Sequence, residues 1–507
     1  MKRLILITLT ASAAILSGCS PDKSTDADHL VILHTNDTHS AIHPDRHDKG
    51  GIARRQVLVD SVRNARENVL LVDAGDAVQG SLYFTLFGGQ VEQKLMNALG
   101  YDIRILGNHE FDLGLDSIAS QWKNVTSDKL STNYDFTGTA LEGLFVPSVM
   151  KNFYGHKVGF VGINLNPAGI ISEENYKGMT YLDALKSANA EASKLKAEGA
   201  EMVIAVTHIG YELDDDKCDD LKLARGSKDI DVIIGGHSHT VVDPVKGVPA
   251  WRIANAEGDT VSVLQTGTKG VYVGEIDINL ADKTVDAHLI PVDSRLDNRL
   301  DPKFTSLIDP YTHKVDSVKA IVVGKTSYDW ERESPELLNL MSDFVRERGE
   351  AISGKPVDLS IMNKGGIRNS LSAGDITKGS IIDIAPFNNR IVVLELSGSD
   401  LIENLAIMAA QEGNGVSSNV KVLYDPASKQ LNSATIDGKP IKPDSKYRVA
   451  TIDYLAAGND YMTPLSRGVT LAKSKIILYD ELIQGIESGK MDHLLSSPDK
   501  KNRMASF

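Results

Sequence analysis

Six apolar, β-branched runs recur between residues 30 and 236: LVILHT, NVLLVDA, DIRIL, HKVGFVGI, MVIAVTH and DVIIGG. Runs this continuously apolar belong to strands covered on both faces. Between them lie stretches such as Tyr181 to Gly199, with Leu182, Leu185, Ala188, Ala192 and Leu195 near helical spacing. Strands alternating with helices predict an α/β core with buried sheets over residues 29–294. Residues 295–319 are polar and hold two Asp-Pro steps around a possible helix, which reads as an interdomain linker. The pattern restarts at IVVGKT and continues through VDLSIMN, RIVVLELSG, VKVLYD and YRVATID, with helices expected near Ser334–Gly349 and Asp400–Gln411. That is a second, smaller α+β domain over 320–495, in keeping with a length of 507 residues.

The first strand is preceded by an export signal. Lys2 and Arg3 lead into an apolar run from Leu4 to Leu16, too short to span a bilayer, followed by LSGC. Residues 1–19 resemble a bacterial lipoprotein signal, which implies cleavage before Cys19, lipidation of its sulfur and an anchor in the membrane. The chain is then expected outside the cytoplasm, at an outer-membrane or periplasmic face, with residues 20–28 as a flexible tether. Cys218, the other cysteine, sits in the run DDDKCDD and reads as a bystander, because carboxylates suppress a thiolate. The acidic run from Asp214 to Asp220 reads as a solvated loop. A net charge of −14 without a basic stripe argues against a nucleic-acid polymer as partner.

Five strands of the first domain run directly into polar residues. These are Asp37-Thr38-His39, Gly75-Asp76, Gly107-Asn108-His109-Glu110-Phe111-Asp112, His208, and Gly235-Gly236-His237-Ser238-His239. A lone Asp after a strand usually caps a turn, and a lone His is usually a satisfied structural group. Five such exits at the carboxyl edge, where open α/β sheets bind ligands, form a constellation. Imidazole with carboxylate is the donor chemistry of zinc, manganese, iron or cobalt. In an extended segment residues i and i+2 point the same way, so the spacings Asp-x-His and His-x-His let each pair reach one ion. His43 and His47 lie in a polar Pro- and Gly-containing loop and read as ordinary loop residues.

This set of motifs resembles the calcineurin-like metallophosphoesterases, and HTNDTHS, GGIARR, DAGD and GGHSH resemble their 5'-nucleotidase branch. The resemblance implies a four-layer α/β/β/α metallophosphoesterase domain followed by a smaller α+β nucleotide-binding domain. It also implies two divalent metal ions, one held by Asp37, His39 and His239, the other by Asn108, His208 and His237, with Asp76 bridging. Two cations about 3.5–4 Å apart polarise phosphoryl oxygens and generate hydroxide for in-line attack. Some relatives have glutamine in place of the last histidine, so His239 leaves the metal's identity open. His109 is then free to stabilise charge on the phosphate and to protonate the leaving oxygen, supported by Asp112. Glu110 and Phe111 are left with solvent contact or packing.

In the second domain NKGGIRNS, APFNNRIVVLELSG and IDYLAAGNDY resemble the 5'-nucleotidase C-terminal domain. The resemblance assigns substrate contacts to Arg332, Asn363 and Arg368. It gives the nucleobase to Phe387 and Tyr454, and the ribose or base region to Asp460. Many relatives have Phe where this chain has Tyr454, and a second glycine where it has Asn459. Stacking tolerates any base, which predicts broad nucleotide use. The expected function is that of a secreted, lipid-anchored 5'-nucleotidase that scavenges nucleosides and phosphate. The rivals are a UDP-sugar hydrolase or 2',3'-cyclic-nucleotide phosphodiesterase on the same fold, and an inactive surface nucleotide-binding protein. Two domains rotating about the linker would close over the nucleotide.

Overall fold

The computed structural model describes residues 28–45, 47–213 and 217–506; Cys19 and the signal segment fall outside them. Two six-stranded sheets form the centre of the first domain. The first contains the parallel strands His29–Thr35, Val69–Asp73, Ile103–Ile105 and Asp128–Leu130, extended on one side by the antiparallel strands Tyr272–Asn279 and Val285–Pro291. The second contains the parallel strands His156–Asn164, Met202–His208, Val232–Ile234 and Thr260–Leu264, flanked by Ser148–Phe153 and Arg252–Ala254.

Both faces of each sheet are covered, as the continuous apolar runs require. Leu30, Ile32, Leu70 and Val72 share a buried cluster with Phe160, Val203 and Ile233 of the opposite sheet. Their strand neighbours Leu33 and Leu71 pack instead with Val57 and Leu58 of helix Ile52–Ala65 and Leu95 of helix Gln90–Leu99. In the second sheet Gly162 abuts Leu130 of the first sheet, while Gly159 abuts Leu195 of helix Ala184–Ala197. The layers therefore run α/β/β/α. That helix begins at Ala184, after the expected start at Tyr181, because the Asp183 carboxylate accepts the Lys186 N–H and caps it. Tyr181 pairs instead with Tyr134 in a short strand.

The acidic run departs from the solvated-loop expectation. Residues 214–216 lie outside the described set, but Asp219 and Asp220 are buried. Asp219 caps helix Asp220–Gly226 and accepts the Leu213 N–H, and Asp220 accepts the Thr207 hydroxyl. A charge run mixes helix caps and core acids with surface groups, and only the packing separates them. Cys218 is half-buried; burial, then Asp220 and Asp219, push its thiol up to about 12, in line with a bystander.

The linker carries helix Pro302–Lys319, capped by Asp301. It is more than a tether, since Phe304, Ile308 and Val315 are buried in one cluster with Leu95 and Leu99 of the first domain and Ile381 and Ile382 of the second. His43 bonds the Tyr83 and Thr312 hydroxyls beside that helix, which gives it a structural role. The second domain is built on a five-stranded sheet ordered Gly415–Val416, Leu359–Met362, Lys446–Ile452, Ile391–Ser397 and Val469–Lys473. Helix Pro335–Ser353 packs on that sheet, and a four-stranded sheet lies beside it. The last strand of the smaller sheet, Met504–Ser506, pairs with Val420–Tyr424 and lies past the boundary expected at 495. Three residues carry no periodicity to reveal it; buried Arg503, bonded to Asp343 and Asp499, secures it.

Candidate active site

Every strand exit singled out from the sequence opens on one edge of the paired sheets. The turns that follow are tight: Asp37, His39, Asp76, His237 and His239 all have positive φ, between 47° and 81°. Non-glycine residues rarely occupy this left-handed region, and they persist there where surrounding bonds hold them. Asp37 is held by the His237 N–H on its carboxylate at 3.0 Å and by the Asn36 side-chain amide at 2.5 Å. Two glycines make the close approach possible. A Cβ at Gly107 would overlap the Asp76 carboxylate, and one at Gly236 would meet the Ala74 carbonyl and His208 Nδ1 at 2.8 Å.

The donor atoms fall into two groups, Asp37, His39 and His239, and Asp76, His208 and His237. In the first, His39 Nε2 lies 3.0 Å from His239 Nε2, and Asp37 Oδ1 lies 3.4 Å from His239 Nε2. In the second, Asp76 Oδ2 lies 3.2 Å from His208 Nε2 and 4.0 Å from His39 Nε2, so it faces both groups. Asn108 Oδ1 sits 2.8 Å from His237 Nδ1 and 3.3 Å from His208 Nε2. The His-x-His pair is thus split between the groups. The spacing argument assumed an extended segment, and the left-handed turns at His237 and His239 send the two rings apart.

Charge and tautomer suit a cation. His208 donates its Nδ1 proton to the Ala74 carbonyl at 2.7 Å, which leaves Nε2 facing the cluster. Burial opposes ionisation of Asp76 and Asp37, but the histidines overcome it and hold both carboxyls below their ordinary value. Burial lowers His39 well below its usual value and His237 to about 4, so both rings are neutral lone-pair donors. His208 is the exception: burial lowers it, but Asp76 and Asp37 push it up to about 10. Two ionised carboxylates, the neutral imidazoles of His39 and His237 and an amide oxygen converging out of water form a donor set that fits divalent metal.

His109 stands just outside the groups. Its Nδ1 lies 3.0 Å from Asp112 Oδ2, and its Nε2 accepts from Arg368 of the second domain at 3.1 Å. Burial lowers its pKa, but Asp112 and Asp76 outweigh burial and raise it. Glu110, expected to face solvent or pack, is a buried acceptor for the backbone N–H groups of Gly107 at 2.6 Å, Ala77 at 3.0 Å and Asp76 at 3.1 Å. It ties the Asp76 turn to the Gly107 turn. Burial and Asp76 push its carboxyl up to about 7.

Beside this edge opens a cavity of about 640 Å³ between the domains. Asn108, His109 and Asp112 line it from the first domain, and Asn363, Arg368, Phe387, Tyr454 and Asp460 from the second. Arg368 lies 5.2 Å from the Phe387 ring, and Asn363 donates to the Asp460 carboxylate at 2.9 Å. Arg332 is not among the lining residues; its Nε donates to the Ile367 carbonyl at 3.0 Å, beside Arg368.

Residues 30–241 match the calcineurin-like phosphoesterase family, and residues 317–467 match the 5'-nucleotidase C-terminal domain. The chain belongs to the 5'-nucleotidase family. Its fold and relatives make it a metal-dependent phosphoric monoester hydrolase. It is 27% identical to the 5'-nucleotidase of Bos taurus, over 90% of this chain and 87% of that one. It is 29% identical to the trifunctional nucleotide phosphoesterase YfkN of Bacillus subtilis over 85% of this chain, and the match spans only 32% of that longer protein. A crystal structure of the 5'-nucleotidase precursor from Thermus thermophilus superposes with a TM-score of 0.83 at 26% identity, covering 94% of this chain and 99% of that one.

In this 5'-nucleotidase-family chain, several residues in or beside the cavity carry no sequence signal. Ile170 and Ile171, on the loop after strand His156–Asn164, are apolar residues indistinguishable in sequence from core. Gln79, with φ 71° and its side-chain oxygen 3.5 Å from Arg368 Nη2, belongs to the Asp76 turn and has no motif of its own.

Proposed function

We propose that this chain is a 5'-nucleotidase that hydrolyses the phosphate ester of nucleoside phosphates. The observation that carries the reading is the meeting, at one mouth, of two metal-type donor groups, the His109–Arg368 pair and an aromatic-lined cavity. Asp37, His39 and His239 would hold one divalent ion, and Asn108, His208 and His237 the other, with Asp76 between them. Zn, Mn, Co or Fe in these positions would supply Lewis-acid polarisation of the phosphoryl oxygens and activation of water.

The side chains do the rest. Arg368 donates to His109 Nε2, so that nitrogen serves as an acceptor in this contact. A phosphate entering between them takes the Arg368 N–H groups, and its charge favours a proton on Nε2. Asp112 keeps the Nδ1 proton in place and orients the ring, so Nε2 is the atom that hands a proton to the departing ribose oxygen. Arg332 adds positive charge behind Arg368. Phe387 and Tyr454 stack on the base, while Asp460, held by Asn363, accepts from ribose hydroxyls.

The signal at residues 1–19 supports export and lipid attachment at Cys19, with nucleotide and phosphate scavenging outside the cytoplasm as the role. Protein lacking residues 1–19 should release phosphate from AMP when Mn, Co or Zn is added. Full activity of Asp76→Asn would sink the reading. A panel that includes UDP-sugars and 2',3'-cyclic nucleotides fixes the substrate range, and nucleotide binding without phosphate release would favour a binding protein.

A further inference from the structure

Tyr454 bears on the site with its ring and on the opposite domain with its hydroxyl. The ring lines the interdomain cavity, and the hydroxyl donates to the Ile170 carbonyl of the first domain at 2.9 Å. One residue away along that first-domain loop, the Gly169 carbonyl accepts the Asp460 N–H, also at 2.9 Å. Beside these, Lys217 Nζ donates to the Ala168 carbonyl at 2.8 Å and lies 5.0 Å from the ring centre of Tyr461.

The receiving surface is preformed on both sides. Ile170 and Ile171 N–H both bond the Pro167 carbonyl, and Gly169 turns at φ 80°, so the Gly169 and Ile170 carbonyls are fixed outward. Across from them Asp460 and Tyr461 hold φ of 57° and 62°, and the Asn459 side chain donates to the Tyr454 carbonyl at 2.9 Å. A left-handed pair of non-glycine residues is retained where neighbouring bonds secure it.

We propose that Tyr454, with the Asp460 N–H, is the clasp that holds the second domain against the 168–171 loop, making Tyr454 a positioning residue as well as a stacking one. Phenylalanine at this position would keep the ring and lose the clasp. The hydroxyl acts on closure, so it affects every substrate alike, whereas the ring acts only on substrates that carry a base. One hydrogen bond of this kind shifts an equilibrium by roughly 3- to 10-fold.

The kinetic arm of the test rests on the nucleotidase reading; the scattering arm does not. In Tyr454→Phe, KM for AMP and for base-free ribose 5-phosphate should rise together by roughly 3- to 10-fold, their ratio unchanged. Small-angle scattering of the ligand-free variant should give a larger radius of gyration than the parent protein. Lys217→Ala, which leaves Tyr454 intact, should move scattering in the same direction. Scattering identical to the parent in both variants overturns the clasp, and so does a KM rise confined to AMP. Scattering needs no turnover, so a failed clasp is distinguishable from a failed nucleotidase assignment.

Discussion

At the scale of single residues, the chemistry turns on which histidine does what. Five histidines crowd the site, and His109 is the one with a carboxylate on one ring nitrogen and Arg368, at the cavity wall, on the other. His109→Asn should lower kcat by about 10²- to 10⁴-fold, the usual range for a lost general acid, with metal content by elemental analysis unchanged. Metal loss from that variant would return His109 to the ligands. A general acid must be protonated, so activity falls as pH rises through the His109 pKa. Asp112 is the first of the groups that raise that pKa, after the opposing effect of burial. Asp112→Asn should therefore move the alkaline limb of the kcat/KM profile to lower pH. A limb that stays in place would show that another group titrates there.

At the scale of elements, the left-handed turns at strand ends matter more than the strands. Glu110 shows how they are held: one buried carboxylate collects three backbone N–H groups from two different turns. Asp220, at the start of helix Asp220–Gly226, is a second buried acid with a separate consequence. One of its oxygens accepts the Thr207 hydroxyl, and the other has no partner among the described residues. Burial pushes its pKa from 3.8 up to about 8. Between about pH 4 and pH 8 the folded chain keeps a proton that the unfolded chain has released, so stability falls as pH rises through that window. In Asp220→Asn, which retains an acceptor for Thr207, the thermal midpoint should vary less between pH 5 and pH 8 than in the parent. An unchanged pH dependence would mean that Asp220 is ionised in the folded protein.

At the scale of the molecule, a sheet edge with crowded, buried charges faces a second domain across a cavity. The carboxylates Asp37 and Asp76 and their histidines are costly to bury without a counter-charge. A ligand that binds only the folded state stabilises it by mass action. Chelation should thus abolish phosphate release and lower the thermal midpoint, and added Mn should restore both. Activity that survives exhaustive chelation would refute the two-ion reading.

The sequence alone determined the α/β core, the restart of the pattern after the linker, and the identities of the residues at five strand exits. It could do so because buried strands are apolar at every position and parallel strands all release the chain at one edge. The split of His237 from His239, which the family resemblance implied and the spacing argument missed, rests on the tertiary structure, as do the role of Glu110 and the burial of Asp219 and Asp220. Each depends on a left-handed turn or a backbone contact from a distant segment, and neither leaves a mark in residue spacing. Arg332 shows the same limit, since its arginine was readable but its place behind the cavity lining was not. Ile170 was invisible for a plainer reason: the atom that bonds Tyr454 is a backbone carbonyl, which every residue carries.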